Sequence, residues 1–298
     1  MTTILLTGST GQVGWELQRT LMSLGEVIIA GREVSSPGLR MDLAQPDTIR
    51  HVIREVQPDL IVNPAAYTAV DKAETEPDLA MAVNGTAPGV IAEEAKLVGA
   101  GVIHYSTDYV FNGSQAKPYT EEDEPDPQNI YGKTKLAGEK AIQAVDVPHL
   151  ILRTSWVYGL RGKNFLLTML KLGREREELK VVDDQVGAPT WSRMIAESTA
   201  QILSQGTQDT ISFLSSNSGI YHITATNQTS WYGFAKAIFE HDSNPSQHKL
   251  KKLVPISSDQ YPTPAKRPAY SSLDTGKISR IFGLALPSWQ INLELVLK

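Results

Sequence analysis

Short runs of Ile, Val and Leu recur through the first half of this chain and alternate with amphipathic stretches of helical length. Residues 4–7, 27–30, 60–63, 102–106 and 150–153 read as strands that are apolar on both faces. Residues 13–24, 47–56, 78–99 and 131–145 read as the helices between them. Strands without a polar face must be covered on both sides, and parallel neighbours need crossovers of this length. The pattern therefore predicts an α/β fold built on a doubly wound parallel sheet over residues 1–155. Beyond that point it loosens. Helices are expected at 164–172, 192–203 and 230–240, and strands at 180–182 and 220–224. Residues 206–219, rich in Ser, Thr, Gln and Asn, read as a surface loop, and a proline-punctuated run covers 255–268. Residues 156–298 are thus expected to form a smaller C-terminal part that caps the sheet, with some segments returning to it.

Composition narrows the class of partner. The chain has 298 residues and a formal charge of -5, which disfavours nucleic acid and anionic membrane surfaces. It contains no cysteine, so disulfides, thiolate zinc sites and a catalytic thiol are all excluded. No apolar run approaches the roughly 18 residues of a membrane span, and Met1-Thr2-Thr3 leads into the first strand without a signal-like segment. A cytoplasmic enzyme or binding protein is the expectation.

The first strand runs directly into Gly8-Ser9-Thr10-Gly11-Gln12-Val13-Gly14, which opens a helix. Glycines at such a turn let backbone approach a pyrophosphate, and the helix N-terminus supplies N–H groups and a positive dipole end. The strand–turn–helix context gives the motif its weight and makes residues 1–155 a Rossmann-like dinucleotide-binding domain. The G-x-x-G-x-x-G spacing resembles the short-chain dehydrogenase superfamily. At the end of the second strand stands Arg32, where an NAD-selective site offers a carboxylate. Arg32 suits a 2′-phosphate and so favours NADPH, but a solvent-facing arginine is an equal reading, and NADH stays open.

Tyr131 and Lys135 stand four apart at the start of a predicted helix, on one face of it. A free phenol titrates near pH ~10, so it needs a neighbouring cation to exchange protons near neutrality. Lysine one turn away is placed to supply that charge. The preceding strand ends in Tyr105-Ser106-Thr107, and ligands bind at strand C-termini in such sheets. The group Thr107, Tyr131 and Lys135 therefore reads as a carbonyl-reductase site. Tyr131 donates the proton, Lys135 lowers its pKa and holds the cofactor ribose, and Thr107 orients the substrate oxygen.

Long blocks then resemble one family, the dTDP-4-dehydrorhamnose reductases. They run from Thr7 to Leu17, from Asn63 to Glu74, from Tyr105 to Phe111, from Tyr131 to Glu139 and from Arg153 to Tyr158. Asp184-Gln185-Val186-Gly187-Ala188-Pro189-Thr190 and Arg267-Pro268 continue the resemblance. It implies that Gly11, Gln12 and Val13 line the pyrophosphate, Asp42 and Leu43 the adenine side, and Ala65, Ala66 and Tyr67 the middle of the cofactor. It also implies substrate contacts from Thr107, Asp108, Trp156, Gln185, Thr190 and Arg267. Trp156 and Tyr67 suit a core position equally well, and Arg267 suits either a diphosphate or the surface.

Some members of that family hold Mg²⁺ between subunits through glutamates. Glu16 fits one such position, but Arg193 follows the Pro189-Thr190 block and would repel the ion. The six histidines show no metal spacing. A monomer or weak homodimer without metal is the expectation. Three rival readings share the fold. A dehydratase is disfavoured because Asp108-Tyr109 follows Thr107 where dehydratases place Asp-Glu. A nucleotide-sugar epimerase is disfavoured by the long family blocks. A non-catalytic NADP-binding regulator, like the regulatory subunit of methionine adenosyltransferase, is disfavoured by the intact threonine, tyrosine and lysine.

Overall fold

A computed structural model describes residues 1–33 and 38–298 of the chain. The first apolar run becomes β1 (Thr2–Leu6), and the glycine turn leads into α1 (Gln12–Leu21). There follow β2 (Gly25–Gly31), β3 (Leu39–Arg40), α2 (Pro46–Val56), β4 (Leu60–Asn63) and the short helices α3 (Val70–Ala73) and α4 (Pro77–Met81). The first half closes with α5 (Ala87–Val98), β5 (Gly101–Thr107), α6 (Ile130–Val145) and β6 (His149–Thr154). The second half opens with β7 (Val157–Tyr158), α7 (Phe165–Glu175), β8 (Glu178–Val182), β9 (Val186–Gly187), β10 (Thr190–Trp191) and α8 (Ser192–Ser204). It continues through α9 (Thr210–Ser216), β11 (Gly219–His222), β12 (Thr229–Ser230) and α10 (Trp231–His241). It ends with β13 (Lys252–Ile256), α11 (Gly276–Phe282) and α12 (Trp289–Leu297).

Seven strands form one parallel sheet in the order β11-β6-β5-β4-β1-β2-β3. Its strands alternate between two cores, as the period of two requires. Leu6, Val62, Ile103 and Leu152 face one side, where Leu17 and Leu21 of α1 meet Ile195 and Ile202 of α8. Leu5, Ile61, Val102 and Ile151 face the other, under Ile49 and Ile53 of α2, Ile91 of α5 and Ile142 of α6. A third cluster, around Tyr158, Leu166, Phe234, Ile238 and Leu293, holds the second half together. The chain leaves β1 for β2 on one side and β4 lies on the other, so a crevice opens above the C-terminal ends of the strands. Among the described residues no helix is long and apolar enough to cross a membrane.

Three stretches differ from the sequence expectation. The single helix expected over 78–99 is α4 and α5 joined by a π-helical turn, Ala82–Thr86. Pro88 has no N–H to give the carbonyl of Asn84, and the register slips there. The loop expected over 206–219 contains α9, whose start is capped by Asp209 accepting from the Ser212 N–H at 2.9 Å. α9 carries one fully buried side chain, Leu214, against Gly101 of β5. The proline run begins inside β13, which among the described residues pairs only with β8 and so leaves an edge where Pro255 is tolerated.

Candidate active site

The crevice above β1 is a cleft of about 720 Å³. Gly8, Gly11, Gln12, Val13 and Gly14 form its floor, Arg32, Asp42 and Leu43 one end, Ala65, Ala66 and Tyr67 the middle, and Tyr131 and Lys135 the far wall. Gly8 has φ of +58°, and a Cβ there would lie 2.8 Å from the Ala65 nitrogen, so only glycine fits. A Cβ on Gly14 would overlap the Gly8 carbonyl, which is how closely α1 approaches the turn. No side chain caps the start of α1 among the described residues, so its first N–H groups are left for an anion. The residues present thus fit a dinucleotide, and Gly11, Gln12 and Val13, at the uncapped start of α1, are the ones that would hold its pyrophosphate. Arg32 is exposed at the rim of the cleft, beside the end where Asp42 and Leu43 stand.

Side chains fix this lining from behind. Asp42 accepts from the Ala44 N–H at 3.0 Å, and Asn84, on the π-helical turn, accepts from the Tyr67 N–H at 2.8 Å and donates to its carbonyl at 3.0 Å. The Tyr67 hydroxyl donates to Glu76 at 2.6 Å, which pushes the phenol up to about 12. From the second half, Asn164 donates to the Gln12 side chain at 2.8 Å and to the Gly159 carbonyl at 2.8 Å.

The proposed catalytic group sits where β5 ends and α6 begins. Asn129 caps α6 by accepting from the Gly132 N–H at 2.8 Å, and Glu74 accepts from the Ile130 N–H at 2.9 Å. Both fix the turn that carries Tyr131. Burial pushes the Tyr131 phenol up to about 12, the Thr107 hydroxyl opposes this through a hydrogen bond, and Asp108 adds to it. Lys135 is 1% exposed and directs its Nζ to the Tyr105 carbonyl at 2.6 Å and to His104 Nε2 at 3.1 Å. Burial pushes its ammonium down to about 8, against the raising influence of Glu139. Thr107 donates to Asp108 at 3.0 Å and accepts from the Tyr109 N–H at 3.2 Å. Asp108 is itself pushed up to about 6 by burial, with Ser271 and Thr107 opposing.

The remaining substrate candidates are scattered more widely. Arg267 forms a two-pronged pair with Asp71 at 3.2 and 3.0 Å, and Tyr109 lies between this pair and Tyr131. Trp156 adopts φ of 45° and stacks on Trp231, with ring centres 3.5 Å apart and planes within 3°. A Cβ on Gly187 would lie 2.6 Å from the Trp156 ring, so that glycine leaves room for the indole. Gln185 is half-buried between β8 and β9. Thr190 is fully buried, its hydroxyl donating to the Ala188 carbonyl at 3.0 Å and accepting from the Ala225 N–H at 3.2 Å, which places it in the frame rather than in the cleft. Arg193 reaches Glu16 at 3.5 Å and Arg19 reaches it at 3.7 Å, so this carboxylate is matched by arginines.

Sequence reasoning did not find Asn63, Asn84, His104, Trp231 or Lys163, although Lys163 lines the cleft. None lies in a motif whose spacing announces it, and Asn63, Asn84, His104 and Trp231 acquire their places through neighbours elsewhere in the chain.

The family model described as the RmlD substrate binding domain matches residues 1–298. The dTDP-4-dehydrorhamnose reductase of Escherichia coli K12 is 46% identical over 99% of this chain and 97% of its own length. Among solved structures, the dTDP-4-dehydrorhamnose reductase of Clostridium acetobutylicum superposes with a TM-score of 0.88 at 37% identity, over 99% of this chain and 98% of that one. The dTDP-4-dehydrorhamnose reductase of Bacillus anthracis, in complex with NADP, gives 0.85 at 34% identity over 99% and 98% of the two chains. With such likeness along its whole length, this chain belongs to the dTDP-4-dehydrorhamnose reductase family.

Proposed function

We propose that this chain reduces the 4-keto group of dTDP-4-dehydro-6-deoxy-L-mannose to give dTDP-L-rhamnose, with NADPH or NADH as reductant. The observation that carries the reading is one cleft that has the glycine turn as its floor and Tyr131 and Lys135 in its wall, with Thr107 behind the phenol. The names of the relatives support the substrate, and the NADP of the Bacillus anthracis enzyme, with Arg32 at the rim, supports NADPH as the better reductant. When bound, the nicotinamide supplies the hydride.

The side chains supply the rest. Tyr131, protonated at neutral pH, donates its proton to the carbonyl oxygen as charge develops there. Thr107 orients that oxygen, and Lys135 presents its ammonium to the ribose side of the cleft. Residues 1–155 carry the dinucleotide, and residues 156–298 bring Trp156, Gln185 and Arg267 toward the sugar nucleotide. All of these come from one chain, so a monomer or weak homodimer in the cytoplasm suffices. The formal charge of -5 speaks for a small-molecule partner rather than nucleic acid.

The test follows the nicotinamide absorbance after addition of the keto sugar to purified protein, with NADPH and NADH separately. Oxidation is expected with the wild type. In Tyr131→Phe it should fall by about 10²–10⁴-fold, the usual share of a general acid, while NADPH still binds. Unchanged turnover in that variant sinks the proton-donor role.

A further inference from the structure

Behind the cleft wall lies a string of buried side chains that ends on Lys135. The Thr7 hydroxyl is 2.6 Å from Asn63 Oδ1, Asn63 Nδ2 is 3.1 Å from His104 Nδ1, and His104 Nε2 is 3.1 Å from Lys135 Nζ. Asn63, His104 and Lys135 are each 1% exposed. The sheet creates the string. Asn63 and His104 are direct partners in the parallel β4–β5 register, and the Thr7 N–H donates to the Val62 carbonyl beside them. Asn63 and His104 are both buried and neither is among the residues lining the cleft, so they act through Lys135.

We propose that His104, held by Asn63 and Thr7, is the positioning residue that aims the Lys135 ammonium into the cleft and sets the pH at which that charge is lost. The inference rests on the reductase reading above. An ammonium has three N–H groups. The Tyr105 carbonyl takes one, and the His104 Nε2 lone pair takes a second once the Asn63 amide is turned with its oxygen toward Nδ1, which leaves one for the cleft. Without the imidazole, a buried cation would lack an acceptor, and the neutral amine would be favoured.

The string also tolerates both charge states. With Lys135 neutral, the bonds run as placed: Thr7 donates to Asn63, Asn63 to Nδ1, and Nε2–H to the amine. With Lys135 charged, the Asn63 amide turns end for end, so that Nδ1–H of His104 donates to its oxygen and its nitrogen donates to Thr7. Among the described residues the Asn63 side chain bonds only Thr7 and His104, so nothing else fixes its orientation. His104 itself stays neutral in both forms, since burial and the nearby Lys135 hold it well below the usual histidine range. The other groups near Lys135 are the Tyr105 carbonyl on β5, and Tyr131 and Glu139 one turn away on its own helix. Glu139 is already paired with Arg153 at 2.6 Å.

The test compares His104→Phe, His104→Gln and Asn63→Leu with the wild type. The Lys135 pKa is read by lysine ¹³Cε NMR, assigned with Lys135→Met, and kcat is read against pH. Phe keeps the ring shape but accepts nothing, so the Lys135 pKa and the alkaline limb of kcat should both move down by about one unit, the size expected for losing one hydrogen bond to a charge. Gln still offers an oxygen to Nζ and should keep both near wild type. Asn63→Leu frees the imidazole to turn Nε2–H toward the ammonium and should shift both in the same direction as Phe. If His104→Phe does not fold, the contrast between Gln and Asn63→Leu decides. Titrations that superimpose on wild type in Phe, or in both Gln and Asn63→Leu, overturn the proposal. A wild type that shows the Lys135 shift in His104→Phe but never oxidises NADPH instead removes the reductase reading alone.

Discussion

Lys135 shows at the residue scale what a site of this kind costs the fold. Its pKa falls from 10.5 to about 8 because the ammonium is buried. Between those values the unfolded chain holds more protons than the folded one, so this group's contribution to stability rises with pH through that window. Below pH 8 the folded protein carries the whole penalty. Lys135→Met should therefore be the more stable protein at pH 7, by on the order of 1–3 kcal/mol once the lost bonds to Tyr105 and His104 are set against the relief of burial. The advantage should shrink toward pH 10. Urea denaturation at the two pH values measures it, and a variant less stable than wild type at pH 7 contradicts the account. Turnover should fall by at least about 10²-fold, the trade between stability and activity expected of a functional residue.

At the scale of elements, α6 matters most because it carries both Tyr131 and Lys135. It is locked to β6 by Glu139 and Arg153, 0% and 1% exposed, with bonds of 3.0 and 2.6 Å. Removing one partner strands a buried charge. Arg153→Met should cost about 3–5 kcal/mol by chemical denaturation, and Glu139→Gln a comparable amount. The double change Glu139→Leu with Arg153→Met should recover most of the loss, since an apolar pair leaves no charge unpaired. A double variant as unstable as the sum of the two would mean that the pair does more than neutralise itself. Such pairs also mark where reading a sequence stops. The strands were legible because Ile, Val and Leu ran unbroken on both faces, and the glycine turn, Thr107, Tyr131 and Lys135 were legible because they sit at fixed offsets from strand ends. α9 was not, since only Leu214 of its polar run reaches full burial. The slip at Pro88 was hidden within a continuous helical pattern. His104 and Asn63 look like any strand residues until β4 and β5 come into register, and nothing in the spacing announces that Trp231 stacks on Trp156.

The whole molecule is two halves of chain built around one crevice. The second half returns β11 to the main sheet, lays α8 over α1, hangs Arg267 on Asp71, and holds the glycine turn through Asn164. The last of these makes a prediction that belongs to no single element. Asn164 does two jobs. Its oxygen caps α7 by accepting from the Leu167 N–H at 3.1 Å, and its nitrogen donates to Gln12, to the Gly159 carbonyl and, at 3.1 Å, to the Arg161 carbonyl. Serine caps a helix about as well as asparagine, but it is too short to span the acceptors around Gln12. Asn164→Ser should thus lose at most about 1 kcal/mol of stability while releasing Gln12 from the wall of the pyrophosphate site. NADPH affinity should fall by about five- to tenfold, the effect of losing one positioning hydrogen bond, with kcat at saturating NADPH close to wild type because Tyr131 and Lys135 stand at the other end of the cleft. Fluorescence titration of NADPH beside a saturated turnover assay separates the two quantities. Affinity equal to wild type would show that the second half leaves the glycine turn to hold itself, while equal losses in affinity and kcat would show that it braces the entire cleft.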